Sequence, residues 1–254
     1  MNFKMIVQYD GSRYKGWQVQ KSTDATIQGK LQDVLLKLTG EPVEVIGSGR
    51  TDAGVHALGQ CANFHIPAKT LRSIFDSTDH EKELLYYFNR YLPDDIAVLS
   101  VEEADERFHS RYNTKIKHYR YRIHTSIIPD VFERKYTCRY IERPLDIERM
   151  RAAAAEMIGT HDFMAFCTLG KLKKSTVRTV TEINIERIGS EIRIDVFGTG
   201  FLRNMIRIMV GTMMEVGAGS RTPEDVREMI ESLDRTKAGY TAPPQGLSLV
   251  EVIY

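Results

Sequence analysis

Residues 47 to 59 read GSGRTDAGVHALG, and bring a guanidinium (Arg50), a carboxylate (Asp52) and an imidazole (His56) into one glycine-rich segment. Glycines 47, 49 and 54 permit positive φ and let a second backbone approach closely. The Gly-x-x-x-x-Gly-Lys-Ser/Thr order of a phosphate loop is absent. Asp52 and His56 are four apart, a spacing that suits two metal ligands on one helix face. Gly54 between them opposes a helix, and no third ligand has an obvious place. From residue types alone, Asp52 reads either as a side-chain cap of a turn or as a catalytic carboxylate.

Three further segments could contact an anion. Between residues 107 and 123, Arg107, Arg111, Lys115, Lys117, Arg120 and Arg122 interleave with Phe108, Tyr112, Tyr119 and Tyr121, with no acidic residue among them. Cations beside aromatic platforms suit a phosphate backbone with unstacked bases. Strand alternation puts Lys117, Tyr119, Tyr121 and Ile123 on one face and His118, Arg120 and Arg122 on the other. The same pattern equally fits tyrosines in a core and arginines in water. In GTGFLRNMIRIMVGTMMEVG, Ile206, Met209, Val210 and Met213 form a core stripe, while Arg203 and Arg207 are expected to share a face in the first helical turns. There the positive helix end would favour an anion, although solvated arginines fit as well. The run KLKKSTVR carries Lys171, Lys173, Lys174 and Arg178 without an acid, as a phosphate-contacting loop or any solvated loop would.

The elements that must position these groups follow from periodicity. Phe3 to Tyr9 alternates as a strand, and Ile27, Leu31, Val34, Leu35 and Leu38 repeat as a helix ended by Gly40 and Pro42. Strands are predicted over 43–46, 60–66 and 96–101, with a helix over 81–91. The order βαββαβ then recurs: strand 116–123, helix 146–158, a hairpin turning at Gly189-Ser190, helix 202–216 and strand 247–253. An extra helix begins at Pro223 behind the cap Thr222. We expect an α+β chain of two split-βαβ halves, 1–105 and 106–254, with antiparallel sheets meeting at a cleft.

The 254 residues hold 35 basic and 34 acidic side chains, a net charge of +1, so any nucleic-acid binding must come from local patches. Cys61, Cys138 and Cys167 form no C-x-x-C pair, which argues against zinc or a disulfide framework. Apolar runs are far shorter than the ~20 residues of a membrane span. The expected setting is the cytoplasm.

Several segments together resemble the tRNA pseudouridine synthase A family: YDGSRYKGWQ (Tyr9 to Gln18), GRTDAGVHALGQ (Gly49 to Gln60), LPDDIAV (Leu92 to Val98), FHSRYNTKIKHYRY (Phe108 to Tyr121), FLRNMIRIMVG (Phe201 to Gly211) and GLSLVEV (Gly246 to Val252). The resemblance runs in order over nearly the whole chain. It implies two ferredoxin-like (RRM-like) halves and an isomerase that turns uridines 38, 39 and 40 of the tRNA anticodon stem-loop into pseudouridine, without a metal or other cofactor. Asp52 would be the nucleophile and Arg50 would help expel the target base. Tyr119 would stack on the uracil and is a candidate general base. Arg207 would pair with Asp52, and Leu247 would line the pocket. The helix position of Arg203 adds it as a substrate-binding candidate. A homodimer with tRNA across both subunits is also implied, with no membrane involved. The rival classes are a noncatalytic RNA-binding protein, whose aromatic RNP pattern neither half shows, and a metal-dependent hydrolase using Asp52 and His56.

Overall fold

In β1 (Asn2–Tyr9) the side chains of Phe3, Met5, Val7 and Tyr9 are all buried, as their alternation requires. The computed structural model describes residues 1–168 and 175–254 and shows a mixed α+β chain. Lys171, Lys173 and Lys174 of the basic loop lie outside the described residues. By Cα proximity the chain divides into two compact units, Met1–Lys115 with Leu249–Tyr254, and Ile116–Ser248.

In the first unit, α1 (Ile27–Thr39) starts behind Thr26, whose hydroxyl accepts from the Gly29 N–H, and ends at Gly40 with φ 74°. Next come β2 (Val45–Gly47), β3 (His56–His65), α2 (Ala68–Ile74), α3 (His80–Tyr91) and β4 (Ile96–Ala104). β1 lies between β3 and β4, antiparallel to both, and β2 pairs antiparallel with β3. β3 begins at His56 rather than at the expected residue 60, because Ala57 already pairs with Tyr9 and Ala57 and Gly59 are buried. The second half of the glycine-rich segment is therefore sheet. Helix α2 escaped the periodicity reading because it buries only Leu71 and has no side-chain cap.

The second unit holds β5 (Ile116–His124), β6 (Cys138–Arg139), α4 (Ile147–Met157), β7 (Gly159–Asp162), β8 (Val177–Ile188), β9 (Glu191–Gly198), α5 (Met205–Gly217) and α6 (Pro223–Ser232). β9 lies between β5 and β8, antiparallel to both; β7 continues on β8, and β6 runs parallel to β5. The β8–β9 hairpin turns at Gly189, φ 58°, as expected. The last strand is β10 (Leu247–Ile253). Strands β6 and β7 were not foreseen, since neither CR nor GTHD carries an apolar alternation. Among the described residues no helix is long and apolar enough to cross a membrane.

The basic-aromatic strand resolves at this level. Tyr119 and Tyr121 are buried, while Arg120 donates to Asp195 at 2.9 and 3.2 Å. His118 Nε2 lies 2.5 Å from the same carboxylate, and Arg122 pairs with Glu133 and Glu191, each at 2.6 Å. Arg120 and Arg122 thus neutralise carboxylates of their own unit, where the sequence alone leaves them open between phosphate contacts and solvated arginines. Burial would raise the Asp195 pKa, but hydrogen bonds from His118 and Arg120 outweigh it and hold the carboxyl below its usual range. A depressed carboxyl contributes stability that is present above its unfolded pKa and lost as pH falls through the folded one. Asp195→Asn is therefore expected to cost about 1–3 kcal/mol at neutral pH. In urea melts the gap from wild type should shrink as pH drops below about 4.

Candidate active site

The Asp52 loop is held by the chain segment that precedes α1. The Trp17 N–H donates to the Thr51 carbonyl at 3.1 Å, and the Gly54 N–H to the Tyr14 carbonyl at 3.3 Å. The Tyr9 hydroxyl and Thr51 Oγ1 are 2.9 Å apart in the interior. Burial pushes the Tyr9 phenol far above its ordinary range, so it remains protonated as a fixed donor or acceptor. At the loop's base Ser48 Oγ donates to Gln60 Oε1 at 2.6 Å, and Gln60 Nε2 donates to the Gly49 carbonyl at 2.9 Å. A turn with Gly54 at φ 78° is closed by the Val55 N–H on the Asp52 carbonyl at 3.1 Å. These anchors leave the Asp52 side chain half-buried at the turn.

Two glycines make this packing possible. A Cβ on Gly11 would sit 2.0 Å from the Val55 carbonyl oxygen, and one on Gly47 would sit 2.5 Å from the buried Trp17 ring. Gly11→Ala must push backbone from backbone, with no flexible side chain to yield. We expect a loss of at least ~2 kcal/mol in chemical denaturation together with slower turnover.

His56 is buried at the start of β3, and its Nδ1 accepts the Gly11 N–H at 3.0 Å. It serves the docking of the two segments. Among the described residues no group of three or more His, Cys, Asp or Glu side chains is arranged to hold a metal ion. The role of the LPDD motif was not legible in sequence: Asp95 accepts the Tyr14 hydroxyl at 2.6 Å and pairs with Arg13, tying β4 to the YDGSRY segment. Arg50 is exposed, and its Nε donates to Gln18 Oε1 at 3.0 Å.

The remaining predicted residues belong to the second unit. Tyr119 meets Phe201 edge-on, with ring centroids 5.4 Å apart. A Cβ on Gly198 would come within 2.9 Å of the same Phe201 ring, so β9 leaves the space that this pair fills. Tyr121 donates to the Pro243 carbonyl at 2.8 Å, and a Cβ on Gly246 would lie 2.6 Å from its ring. The chain is thereby held against β5 just before Leu247, which is buried.

Arg207 lies in the first turn of α5, where a helix ordinarily prefers acidic side chains. Its Nε donates to the Ala242 carbonyl at 2.6 Å and its Nη1 to Asn204 Oδ1 at 3.0 Å. Asn204, the helix cap at φ 61°, donates in turn to Thr168 Oγ1 at 2.8 Å. α5 starts at Met205, so Arg203 sits in the turn before the cap and is exposed. The expectation that Arg203 and Arg207 share a helical face is corrected, because the left-handed Asn204 breaks the periodicity between them. Asp52, Arg50 and Gln18 thus belong to the first unit, where Arg50 is bonded to Gln18, and Tyr119, Phe201, Arg207 and Leu247 to the second, where Tyr119 packs on Phe201.

Comparison with known proteins agrees with the motifs. The family model described as tRNA pseudouridine synthase matches residues 5–113 and 153–254. A protein of Acetivibrio thermocellus named tRNA pseudouridine synthase A is 45% identical over 253 residues, covering 100% of this chain and 99% of its own length. One of Brevibacillus brevis with the same name is 41% identical, covering 99% of this chain and 98% of its own length. A Bacillus cereus protein named tRNA pseudouridine synthase A 2 is also 41% identical, with 99% and 98% covered. Matches of this extent, together with the GRTDAG loop held as described, place the chain in the tRNA pseudouridine synthase family.

Proposed function

We propose that this isomerase, which converts uridine to pseudouridine in tRNA, uses Asp52 as its nucleophile and acts at positions 38, 39 and 40 of the anticodon stem-loop. The observation that carries the reading is the placement of Asp52. Its side chain is half-buried on a turn whose backbone is bonded on both sides to the Tyr9–Gln18 segment. A nucleophile needs such fixed aim, because misplacement by an ångström costs rate.

In the reaction the bond between N1 of uracil and the ribose C1′ breaks, the base turns, and C5 bonds to C1′. C5 then releases its proton and N1 gains one, so the product is an isomer of the substrate. Asp52 is proposed to form the transient covalent bond, at ribose or base, and Tyr119 to stack on the displaced uracil. The T-shaped contact with Phe201 supports that role by fixing the Tyr119 ring. Taking a base out of its stack costs a few kcal/mol, which Tyr119 stacking and an inserted Arg50 would offset. Arg207 is proposed to stabilise the charged state of the reaction, and Leu247 to line the uracil pocket. Arg203 would contact phosphate from its exposed turn. For the two halves, 1–105 and 106–254, a ferredoxin-like reading is supported by β1 lying between β3 and β4 and, correspondingly, β9 between β5 and β8, although α2, β6, β7 and α6 are added to the βαββαβ order expected from the sequence. A homodimer with tRNA across both subunits, working in the cytoplasm, completes the proposal.

Purified protein and unmodified tRNA carrying tritium at uracil C5 test the reading. Tritium is expected in water with and without EDTA, and mapping should place pseudouridine at 38, 39 and 40. Binding without release would favour the noncatalytic RNA-binding alternative, and loss of release in EDTA would favour metal-dependent chemistry.

A further inference from the structure

We propose that Gln18 and Gln28 are positioning residues for Arg50, joined in an amide relay that aims its guanidinium. The proposal rests on the role given above to Arg50. Gln28, in the first turn of α1, is buried, and its Nε2 donates to the carbonyl of buried Val45 at 2.8 Å. That bond leaves Gln28 Oε1 as an acceptor, which takes the Val19 N–H at 2.9 Å and Gln18 Nε2 at 2.7 Å. With its nitrogen committed to Gln28, Gln18 must turn its oxygen outward. Oε1 there accepts the Arg50 Nε–H at 3.0 Å. Every donor and acceptor in the relay is assigned in one direction, so neither amide can flip without losing bonds.

Its base is equally determined. The Gln28 N–H donates to the Trp17 carbonyl at 3.0 Å and the Ile27 N–H to the Gly16 carbonyl at 3.3 Å, so the start of α1 is capped by the segment that carries Gln18. Val45 opens β2, and Arg50 follows that strand after Gly47-Ser48-Gly49. Gln28 therefore clamps both the Gln18 segment and the root of the Arg50 loop. Among the described residues the bond to Gln18 is the only side-chain hydrogen bond of Arg50, and no carboxylate pairs with it. An exposed arginine without that bond would lose its aim to rotamer freedom, whereas held through Nε it presents both terminal nitrogens outward together.

The experiment uses the full chain with Gln18→Met, Gln18→Glu, Arg50→Ala and the double variant Gln18→Met/Arg50→Ala. In single-turnover tritium release Gln18→Met is expected to be roughly tenfold slower, with the tRNA Kd little changed. Gln18→Glu keeps an acceptor toward Arg50 but sets an oxygen against Gln28 Oε1 where Gln18 donates, so it should recover only part of the rate. In the Arg50→Ala background Gln18→Met should cost nothing further. An additive loss, or a Gln18→Met rate equal to wild type while Arg50→Ala is slow, would overturn the positioning role alone. Wild-type speed in Arg50→Ala would overturn the role of Arg50 itself. The heteronuclear NOE of the Arg50 Nε–H reads the restraint without activity. It should be high in wild type and collapse in Gln18→Met; a low wild-type value, or no change in the variant, would also overturn the proposal.

Discussion

Asp52→Asn and Asp52→Ala are each expected to slow tritium release from C5-labelled tRNA by at least roughly 10⁴-fold, since a covalent step has no substitute for its nucleophile. The asparagine variant is the more informative of the two. It keeps the size of the side chain and leaves untouched the backbone bonds of the turn: Val55 to the Asp52 carbonyl, Trp17 to Thr51 and Gly54 to Tyr14. Thermal melting should therefore stay close to wild type, and tRNA affinity should persist, because phosphate contacts elsewhere carry most of it. Loss of rate with fold and binding retained identifies chemistry. A variant rate within tenfold of wild type would remove Asp52 from the nucleophile role and return it to the turn-capping role that its residue type also allows.

Arg207→Ala is expected to lower kcat by roughly 10²- to 10³-fold while leaving the tRNA Kd nearly unchanged, the signature of stabilisation made in the transition state. The guanidinium is half-buried, and two of its donors are used within its own unit, on the Ala242 carbonyl and Asn204 Oδ1. Those bonds fix the plane of the fork, which a lysine cannot reproduce with a single rotatable ammonium. Arg207→Lys should thus restore charge but only part of the rate. Equal losses in Kd and kcat for the alanine variant would mean that Arg207 merely binds tRNA. Since the Ala242 N–H also donates to the Arg207 carbonyl, a backbone bond that survives substitution, the 242 segment should stay in place in both variants.

How much of this was readable in advance differs from element to element. Strand β1, helix α1 and the β8–β9 hairpin followed from alternation, a 3.6-residue stripe and turn glycines, because local periodicity reports which face is buried. The cap at Thr222 with Pro223 behind it was readable for the same local reason. Helix α2 and strands β6 and β7 were not, being too short for a period to show. Arg203 was misplaced by periodicity, because the left-handed Asn204 starts α5 three residues later than the expected residue 202.

For the site, residue order alone carried the motifs and, through their resemblance, the family and the chemistry expected of Asp52. It left Asp52 itself open between turn cap and nucleophile, and left Arg120 and Arg122 open between phosphate contacts and surface charges. Only the tertiary structure assigned those two arginines to Asp195, Glu191 and Glu133. It also showed that Asp95, Gln18 and Gln28 support the loop region. The physical reason is range. Periodicity, caps and turns are set by neighbours within a few residues, whereas a charge or an amide is committed by whichever partner folding brings within about 3 Å, often far away along the chain.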